Sequence, residues 1–452
     1  MLKYKQMQKA PGRTSRKTVL ISTAAALLLS AVIFVSPSSA QEDQGAGTIL
    51  SSLRDAIALS LKNNLNIQIQ EKETDVSRAG VMLSRSALLP QVNLNGSYTK
   101  NDKVLEETIF TGYKNDNQLG LTLTQSLYSG GGNIAALKQA RAGLRIQEET
   151  LKQEKLNVEF ETKRLYYGLL LAYETERIAQ DLFDQAEAHY KDVLAKFKEG
   201  TASKFDCLQS KVQVSKIMPE LVRAKNAVEL IKADLKKLLR LKMTEGLKVN
   251  DRLDYLPITI DEPEFLKTAY LNQPAMTIKE LGIDFNKWAV RVARASNLPQ
   301  VNASLDYEHR SNNLNTLLNS RQSNFSAGFS VSVPLFDGFS SKAKVDAARA
   351  RYQEAFLSKD DMSDQIAVDI KKACLDLRQS QAIIDYTKDN VGEAREALRI
   401  SEVNYDNGMG TNLDVLDSQV SLSQIEKDLA NGIYDYLMAQ AFLDQTMGKL
   451  IQ

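Results

Sequence analysis

An internal repeat is the feature of this sequence that most limits the folds open to it. Three blocks recur after a nearly constant interval of 208 residues: Leu89–Asn93 as Leu298–Asn302, Leu127–Gly130 as Leu335–Gly338, and Gly200–Ser210 as Gly408–Ser418. Such regular self-similarity predicts a tandem duplication. We place the first copy at residues 41–250 and the second at residues 251–452, each with the order helix, strand, strand, long helix, helix.

Each copy contains two segments in which apolar and polar residues alternate. In the first segment Val92, Leu94 and Tyr98 alternate with Asn93 and Asn95. This alternation over about ten residues is typical of a tilted transmembrane strand, apolar toward lipid and polar toward a lumen. A soluble sheet with one wet face alternates in the same way and is the alternative. We predict strands at about residues 91–100, 118–128, 300–309 and 324–335.

Four strands are too few to close a barrel. An open sheet edge in hydrocarbon leaves unpaired backbone groups that each cost several kcal/mol, so the strands have to be shared between subunits. A homotrimer would supply about twelve strands, which lies within the range of outer-membrane barrels. The predicted fold is therefore mainly α with a membrane β-barrel, formed as a trimeric, twelve-stranded β-barrel in contact with outer-membrane lipid.

Two long helical hairpins are predicted at residues 133–241 and 340–450, and both carry a seven-residue apolar period. In the first helix this period includes Val158, Leu165, Ala172 and Ala179, and Leu377 and Leu422 belong to the matching series of the second hairpin. A strict apolar period of seven imposes left-handed supercoiling against a partner helix. The hairpins are thus predicted to form an α-helical coiled-coil tunnel.

The first forty residues read as a secretory signal peptide. They contain six basic residues and no acidic residue, then an apolar run from Thr18 to Val35, and Ser38 and Ala40 fit cleavage before Gln41. The run is also just long enough for a membrane-spanning helix. Without these six charges the formal net charge falls from +1 to −5. An acidic mature chain lacks the basic footprint of a nucleic-acid-binding protein.

Few residues are available for chemistry. With two histidines and two cysteines, the chain offers no set of residues for a catalytic or zinc site, so we predict no enzyme, no metal and no cofactor. Cys207 falls on an apolar seam and Cys374 on a helix, and we interpret both as buried small apolar residues. His189, on a polar helix face, and His309, at a strand end, are expected to be solvated.

The segment Gly408–Gln419, Gly-Met-Gly-Thr-Asn-Leu-Asp-Val-Leu-Asp-Ser-Gln, resembles the motif at the second helical turn of the TolC family of outer-membrane efflux proteins. The paired Leu-Pro-Gln-Val segments are a second likeness. The resemblance implies a homotrimeric duct in the outer membrane with a periplasmic helical domain that tapers at its tip. It also implies partners, namely a periplasmic adaptor protein and an inner-membrane pump, as in tripartite efflux or type I secretion systems.

The resemblance further implies a gate at the periplasmic tip formed by Asp414, Asp417 and Asp206. Where the family's best-known member has basic and aromatic latch residues, this chain has Met409 and Asn412. The residues predicted to form the adaptor-docking tips are Gly200, Ser203, Gly408, Gly410, Thr411, Leu413, Val415 and Leu416.

Local physics offers a simpler interpretation of part of this motif. Gly408 or Gly410 can supply the positive φ of a helix–helix turn, and Thr411 is a suitable N-cap. Asp414 would then favour the positive end of the helix dipole by about 0.3–1 kcal/mol.

Two functions from different classes fit the sequence. The first is a passive export duct. The second is an outer-membrane-anchored coiled-coil spacer without an open channel, and the heptads alone fit it equally well. The polar face of all four strands favours the duct, because a sealed anchor has no need of one. A periplasmic adaptor also uses long hairpins, but it lacks four alternating strands of membrane length.

Overall fold

The computed structural model describes residues 48–50, 52–100, 115–311, 313, 317 and 323–450. The predicted signal peptide and its cleavage site lie outside the described residues. In the described part of the chain, no helix is both long enough and apolar enough to cross a membrane.

The first copy begins with a short strand and two helices and ends in a long hairpin. Its elements are β1 (Thr48–Leu50), α1 (Leu53–Asn63), α2 (Leu65–Ser86), β2 (Gln91–Lys100), β3 (Asn115–Ser129), α3 (Gly132–Lys198) and α4 (Lys204–Leu239). Asn64 separates the first two helices. Its side chain accepts a hydrogen bond from the backbone of Asn66 at 2.8 Å and so caps α2.

The second copy repeats this order. Its elements are β4 (Leu247–Val249), α5 (Glu262–Asn272), α6 (Pro274–Ala295), β5 (Gln300–Ser311), β6 (Ser323–Ser332), α7 (Ser340–Asp406) and α8 (Asn412–Thr446). Strand β4 pairs in parallel with β1. The four predicted membrane strands thus correspond to β2, β3, β5 and β6, although β3 is longer than expected and β6 ends at Ser332.

The four long strands form one antiparallel sheet in the order β2-β3-β5-β6. One row across the sheet is apolar, with Leu94, Leu121, Tyr307 and Phe325 on neighbouring strands. The adjacent row is polar, with Asn93, Thr122, Asp306 and Ser326 in the same order. The sheet therefore has one apolar and one polar face. Every residue of the two edge strands, β2 and β6, is exposed in the single chain.

The predicted heptad seam is the buried interior of each hairpin. In α3 every seventh residue from Val158 to Val193 is buried. The residues that face this seam from α4 include Leu221, Val228 and Leu235. The second hairpin buries the equivalent series between α7 and α8: Ile370, Leu377, Ile384, Leu398, Val415, Leu422, Tyr436 and Leu443.

A buried ion pair joins the two hairpins. Lys163 of α3 lies 2.9 Å from Glu159 on the same helix and 3.4 Å from Asp444 on α8. The lysine and Glu159 are almost fully enclosed, and a buried charge is tolerated only when it is paired in this way. This contact holds α3 against α8, so the two hairpins of one chain pack side by side.

The two cysteines differ in environment. Cys374 is fully buried between α7 and α8, and burial raises the pKa of its thiol. Cys207 is only half-buried, whereas Val415, its counterpart in the second copy, is fully buried. The seam is thus less enclosed at the start of α4. Both thiols are free.

Candidate gate and docking surface at the hairpin tips

The first tip is the turn between α3 and α4. Gly200 supplies a positive φ of 78°, which a residue without a Cβ adopts without strain. Ser203 then caps α4, because its hydroxyl accepts a hydrogen bond from the backbone of Asp206 at 3.0 Å. The Asp206 carboxylate accepts from the Ser203 backbone and hydroxyl in return, at 3.3 and 2.6 Å. Asp206 is therefore part of a capping box.

The second tip, between α7 and α8, repeats this arrangement. Gly408 has a φ of 69°, and Thr411 and Asp414 form the capping box at the start of α8. The Asp414 carboxylate accepts hydrogen bonds from the Thr411 backbone at 2.8 Å and from its hydroxyl at 2.7 Å. These bonds hold the pKa of Asp414 below its ordinary value. Local capping therefore accounts for the position of Asp414.

Asp417 has no such structural role. It lies one turn further along α8 and is exposed. Among the residues that the structure describes, none forms a hydrogen bond or ion pair with its carboxylate. Of the three aspartates predicted to form a gate, it is the one whose position is not explained by any contact with the described residues.

Asn412 joins the two tips, and nothing in the sequence predicted this role. Its side chain is 3% exposed and lies between the hairpins. The amide oxygen accepts hydrogen bonds from His189 Nε2 at 2.7 Å and from the Ser210 hydroxyl at 2.9 Å. The amide nitrogen donates to Gln209 Oε1 at 3.0 Å and to the Asp206 carbonyl at 3.5 Å. All four partners belong to the first copy.

One signal could have drawn attention to this position. The counterpart of Asn412 in the first copy is Lys204, so a long, exposed cation in one copy is replaced by a short amide in the other. The partners themselves lie about two hundred positions away and cannot be deduced from local pattern.

A second contact between the tips involves Lys196. Its ammonium group lies 2.7 Å from Asp406 at the end of α7 and 2.8 Å from Asp192 on its own helix. It also lies 4.5 Å from the centre of the Tyr405 ring, within the range of a cation–π contact. The two tips of one chain are therefore held together at two points, Asn412 and Lys196.

The expectation that the histidines are solvated was wrong. His189 is half-buried, because its ring packs edge-on against Tyr405 at 5.3 Å while its Nε2 donates to Asn412. His309 is also half-buried and is hydrogen-bonded to the Tyr307 hydroxyl at 3.1 Å. A helical position that looks polar in one hairpin can thus be the contact with the next hairpin.

The residues predicted to form the docking tips divide into two groups. Gly200, Ser203, Gly408, Thr411 and Leu413 are exposed, and Gly410 is half-buried. Val415 and Leu416 are buried, and Val415 packs against Leu398 and Leu422 in the seam. The buried pair holds the first turn of α8 in place, while the exposed group forms the outer surface of the tip.

Comparison with known proteins agrees with this architecture. The family model for outer membrane efflux proteins matches residues 56–239 and 265–449, which is one match for each copy. The chain belongs to the outer membrane efflux protein family. It is accordingly an outer-membrane channel protein with a periplasmic helical domain.

The similar proteins are secretion and channel proteins. The chain is 22% identical to the alkaline protease secretion protein AprF of Pseudomonas aeruginosa, over 88% of this chain and 84% of AprF. It is also 22% identical to the outer membrane protein TolC of Escherichia coli, over 86% of this chain and 80% of TolC. The CmeC outer membrane channel of Campylobacter jejuni shares the fold, with a TM-score of 0.78 and 20% identity, over 88% of this chain and 85% of CmeC.

Proposed function

We propose that this family member assembles as a homotrimer and forms a passive export duct through the outer membrane and periplasm. In this role it is the outer-membrane component of a tripartite efflux or type I secretion system. A periplasmic adaptor docks at its tips, and an inner-membrane pump supplies the energy. The observation that carries the proposal is the four-stranded sheet, which has one apolar face, one polar face and two open edges.

The two open edges of the sheet have to pair with strand edges of other subunits. Unpaired backbone groups are too costly in hydrocarbon, so β6 of one subunit has to pair with β2 of another. Three subunits give a barrel of about twelve strands. Its polar face then lines a lumen, which a sealed anchor would not need. This argument favours the duct over the coiled-coil spacer.

The proposed gate consists of Asp414 and Asp417, with Asp206 nearby in the adjacent tip. Three-fold symmetry would turn each aspartate into a ring of three carboxylates. Such rings favour cations and form an electrostatic barrier at a constriction. The capping bonds of Asp206 and Asp414 fix the direction of these carboxylates. Asp417 is exposed and forms no bond with the described residues, so it is free to face the axis.

The proposed docking surface is the exposed part of the two tips, with Gly200 and Ser203 on one and Gly408, Thr411 and Leu413 on the other. Phe205 and Met409 add large exposed apolar side chains to the same surface. Apolar groups at the protruding end of a long helical hairpin are well placed to meet the end of another helical protein.

Single-channel conductance in a planar bilayer tests the duct and its gate together. We compare purified trimers of the native chain with the double variant Asp414→Asn/Asp417→Asn. Asparagine keeps an oxygen that can cap the helix but removes the charge. We expect a small, cation-selective conductance in the native protein, and a larger, less selective conductance in the variant. Asp389→Asn, which neutralises an exposed acid far along α7, is the control.

Each other outcome is informative. Equal conductance in the native protein and the double variant would support the duct but contradict the assignment of the constriction to these aspartates. No conductance from verified trimers of either protein would contradict the duct and favour the spacer.

A further inference from the structure

Two neighbouring helices carry a row of basic residues at the end that adjoins the sheet. Between Ala135 and Gln147 of α3, and between Leu281 and Ala295 of α6, every exposed residue is a lysine or an arginine. The two stretches contain one acidic residue, Asp284. The six exposed basic residues, which we call the basic stripe, are Lys138, Arg141, Arg145, Lys287, Arg291 and Arg294.

The basic stripe lacks the ion pairs that neutralise other basic residues of the chain. Further along α3, for example, the Arg164 guanidinium lies 2.5 Å from the carboxylate of Glu161, one turn away. In the part of the chain that the structure describes, none of the six residues of the stripe forms an ion pair with an acidic residue. The charge of the stripe is therefore available to an anionic partner from outside the chain.

A tryptophan joins the two halves of the stripe. The ammonium group of Lys138 on α3 lies 4.4 Å from the centre of the Trp288 ring, and the guanidinium carbon of Arg291 lies 4.3 Å from it. Both distances are within the range of a cation–π contact. The aromatic ring and the cations thus form one continuous surface on α3 and α6.

The fold does not require this charge, as the equivalent pair of helices in the duplication shows. The positions 208 or 209 residues away, on α7 and α2, are occupied by Asp346, Arg349, Gln353, Arg78, Met82 and Arg85. Only three of these are basic, and two of the three are neutralised, Arg349 by Asp346 at 3.8 Å and Arg78 by Asp75 at 2.8 Å. Helix packing alone therefore does not explain the stripe.

The stripe begins where the membrane sheet ends. Two residues separate β3 from α3, and four separate α6 from β5. At a rise of about 1.5 Å per residue, Arg294 and Lys138 lie within about 10 Å of the helix ends next to the sheet, and Arg145 about 20 Å away. Charges act over about 8–10 Å at physiological salt. The nearest cations thus reach the lipid headgroups, and the others lie within range of their field.

The stripe lies on the outer side of the helices. Ile134, one turn before Lys138 and so on the same face of α3, is 54% exposed, which suits the edge of the hydrocarbon and not a water-filled lumen. Three heptads beyond Arg141 on α3, the Thr162 hydroxyl donates to the Ser60 hydroxyl of α1 at 2.8 Å. Helix α1 has to lie outside the wall of a duct, because it would otherwise block the lumen.

Association of subunits leaves the stripe uncovered. Helix α3 packs between α2 and α6, and α6 packs between α3 and α7, so the neighbours of both helices belong to the same chain. The exposure of the stripe in the single chain is therefore kept in an assembly whose subunits meet elsewhere.

We propose that the basic stripe binds anionic phospholipid headgroups of the periplasmic leaflet of the outer membrane. Lysine and arginine form strong, charge-assisted hydrogen bonds with phosphate oxygens. Phosphatidylglycerol carries a net negative charge that phosphatidylethanolamine lacks, so clustered cations at the membrane surface select it. Trp288 fits the same role, because tryptophan is enriched at the boundary between membrane and water. This inference goes beyond the proposed export function and assigns a lipid-binding surface to α3 and α6.

Trp288 can report on this surface directly, because it is the one tryptophan of the chain. Trimers are reconstituted into phosphatidylethanolamine vesicles that contain a nitroxide-labelled lipid, either phosphatidylglycerol or phosphatidylethanolamine with the same label at the top of the acyl chain. We expect labelled phosphatidylglycerol to quench the Trp288 fluorescence at a mole fraction about five-fold lower than labelled phosphatidylethanolamine.

Two matched variants separate the stripe from charge in general. Arg141→Gln/Lys287→Gln/Arg294→Gln removes half of the stripe's charge and leaves Lys138 and Arg291 on the tryptophan ring. The control removes three exposed charges near the start of α4, far from the sheet, by substituting glutamine for Lys211, Lys216 and Arg223. We expect the stripe variant to lose the preference for phosphatidylglycerol and the control to retain it.

Two results would overturn the proposal. One is an equal preference for phosphatidylglycerol in the native protein and the stripe variant, or no preference in the native protein. The other is quenching of Trp288 by aqueous iodide and by neither labelled lipid, which would place the stripe in the lumen. The conductance of the same trimers is measured in parallel, so a failure of lipid selectivity is distinguished from a failure of the duct.

Discussion

Asn412 is the residue on which the relation between the two tips most depends. An asparagine side chain can accept two hydrogen bonds and donate two, and this residue uses all four with groups of the other hairpin. A buried polar group is costly when it lacks partners, and a fully bonded one fixes a single arrangement. The tip of α8 therefore has one position relative to α3 and α4.

Replacing Asn412 with alanine should loosen this contact. The Ser210 hydroxyl and Gln209 amide would lose their partner, at a local cost of about 1–3 kcal/mol for a buried unsatisfied group. We expect faster amide hydrogen exchange in residues 203–212 and 411–418, by about ten-fold or more. Gln424→Ala, which removes an exposed amide of the same helix that donates to Asp428 one turn away, is the control. Identical exchange in the two variants would contradict the role of Asn412.

At the scale of helices and strands, periodicity predicted most of the fold. The seven-residue period identified the seam that buries Val158 and Leu377, and the two-residue period identified both faces of the sheet. Periodicity could not predict how pairing with adjacent strands sets the length of each strand. Strand β3 extends to Ser129 because it goes on pairing with β5 beyond Thr124, where its pairing with β2 stops. Strand β6 ends at Ser332, two residues before Pro334, which has no N–H to donate.

The candidate site was predictable only in part. The turn glycines and caps followed from local chemistry, because Gly408 needs a positive φ and Thr411 a partner three residues on. Asn412 and His189 could not be found in this way, because their contacts join hairpins that are distant in sequence. Local rules therefore described each tip and missed the bond between the tips.

The seam itself can be tested at Leu377, which is 0% exposed between α7 and α8. Leu377→Ala removes buried methyl and methylene groups and leaves a cavity, which typically costs about 2–5 kcal/mol. We expect a clear shift of the denaturant midpoint of the detergent-solubilised protein to lower concentration. Gln379→Ala, at an exposed position on the same helix, should leave the midpoint almost unchanged. A midpoint for Leu377→Ala equal to that of the control would show that the seam does not carry the hairpin's stability.

At the scale of the whole molecule, contacts between the two hairpins hold each subunit together as one unit. Lys163, near the middle of α3, pairs with Asp444 in the last turn of α8, and Lys427 of α8 forms an ion pair with Glu220 of α4. Asn412 and Lys196 join the tips. Each long helix of 67 residues spans about 100 Å, so small rotations of a subunit become large displacements at its tip. Opening of the tunnel is then most simply a movement between subunits, with both tips of one subunit moving together.

The proposed docking of a partner at these tips leads to a prediction about Gly408. Its φ of 69° costs a residue with a Cβ roughly 1–2 kcal/mol, and a Cβ built there meets no atom within 4 Å. Gly408→Leu should therefore leave the trimer intact but place a bulky group on the docking surface. We expect export in cells that supply the partner proteins to be lost, whereas Gly408→Asn, which tolerates this backbone, should retain most of it.

Gly131 provides a control for backbone strain alone. It has a φ of 77° and equally open surroundings, but it lies at the start of α3, at the other end of the hairpin. Its counterpart in the second copy is Phe339, which adopts a φ of 68° in the native chain, so a large side chain is tolerated in this conformation. Gly131→Leu should thus preserve export. If both leucine variants lost export equally, strain and not docking would explain the effect, and if neither did, the partner would have to bind away from Gly408.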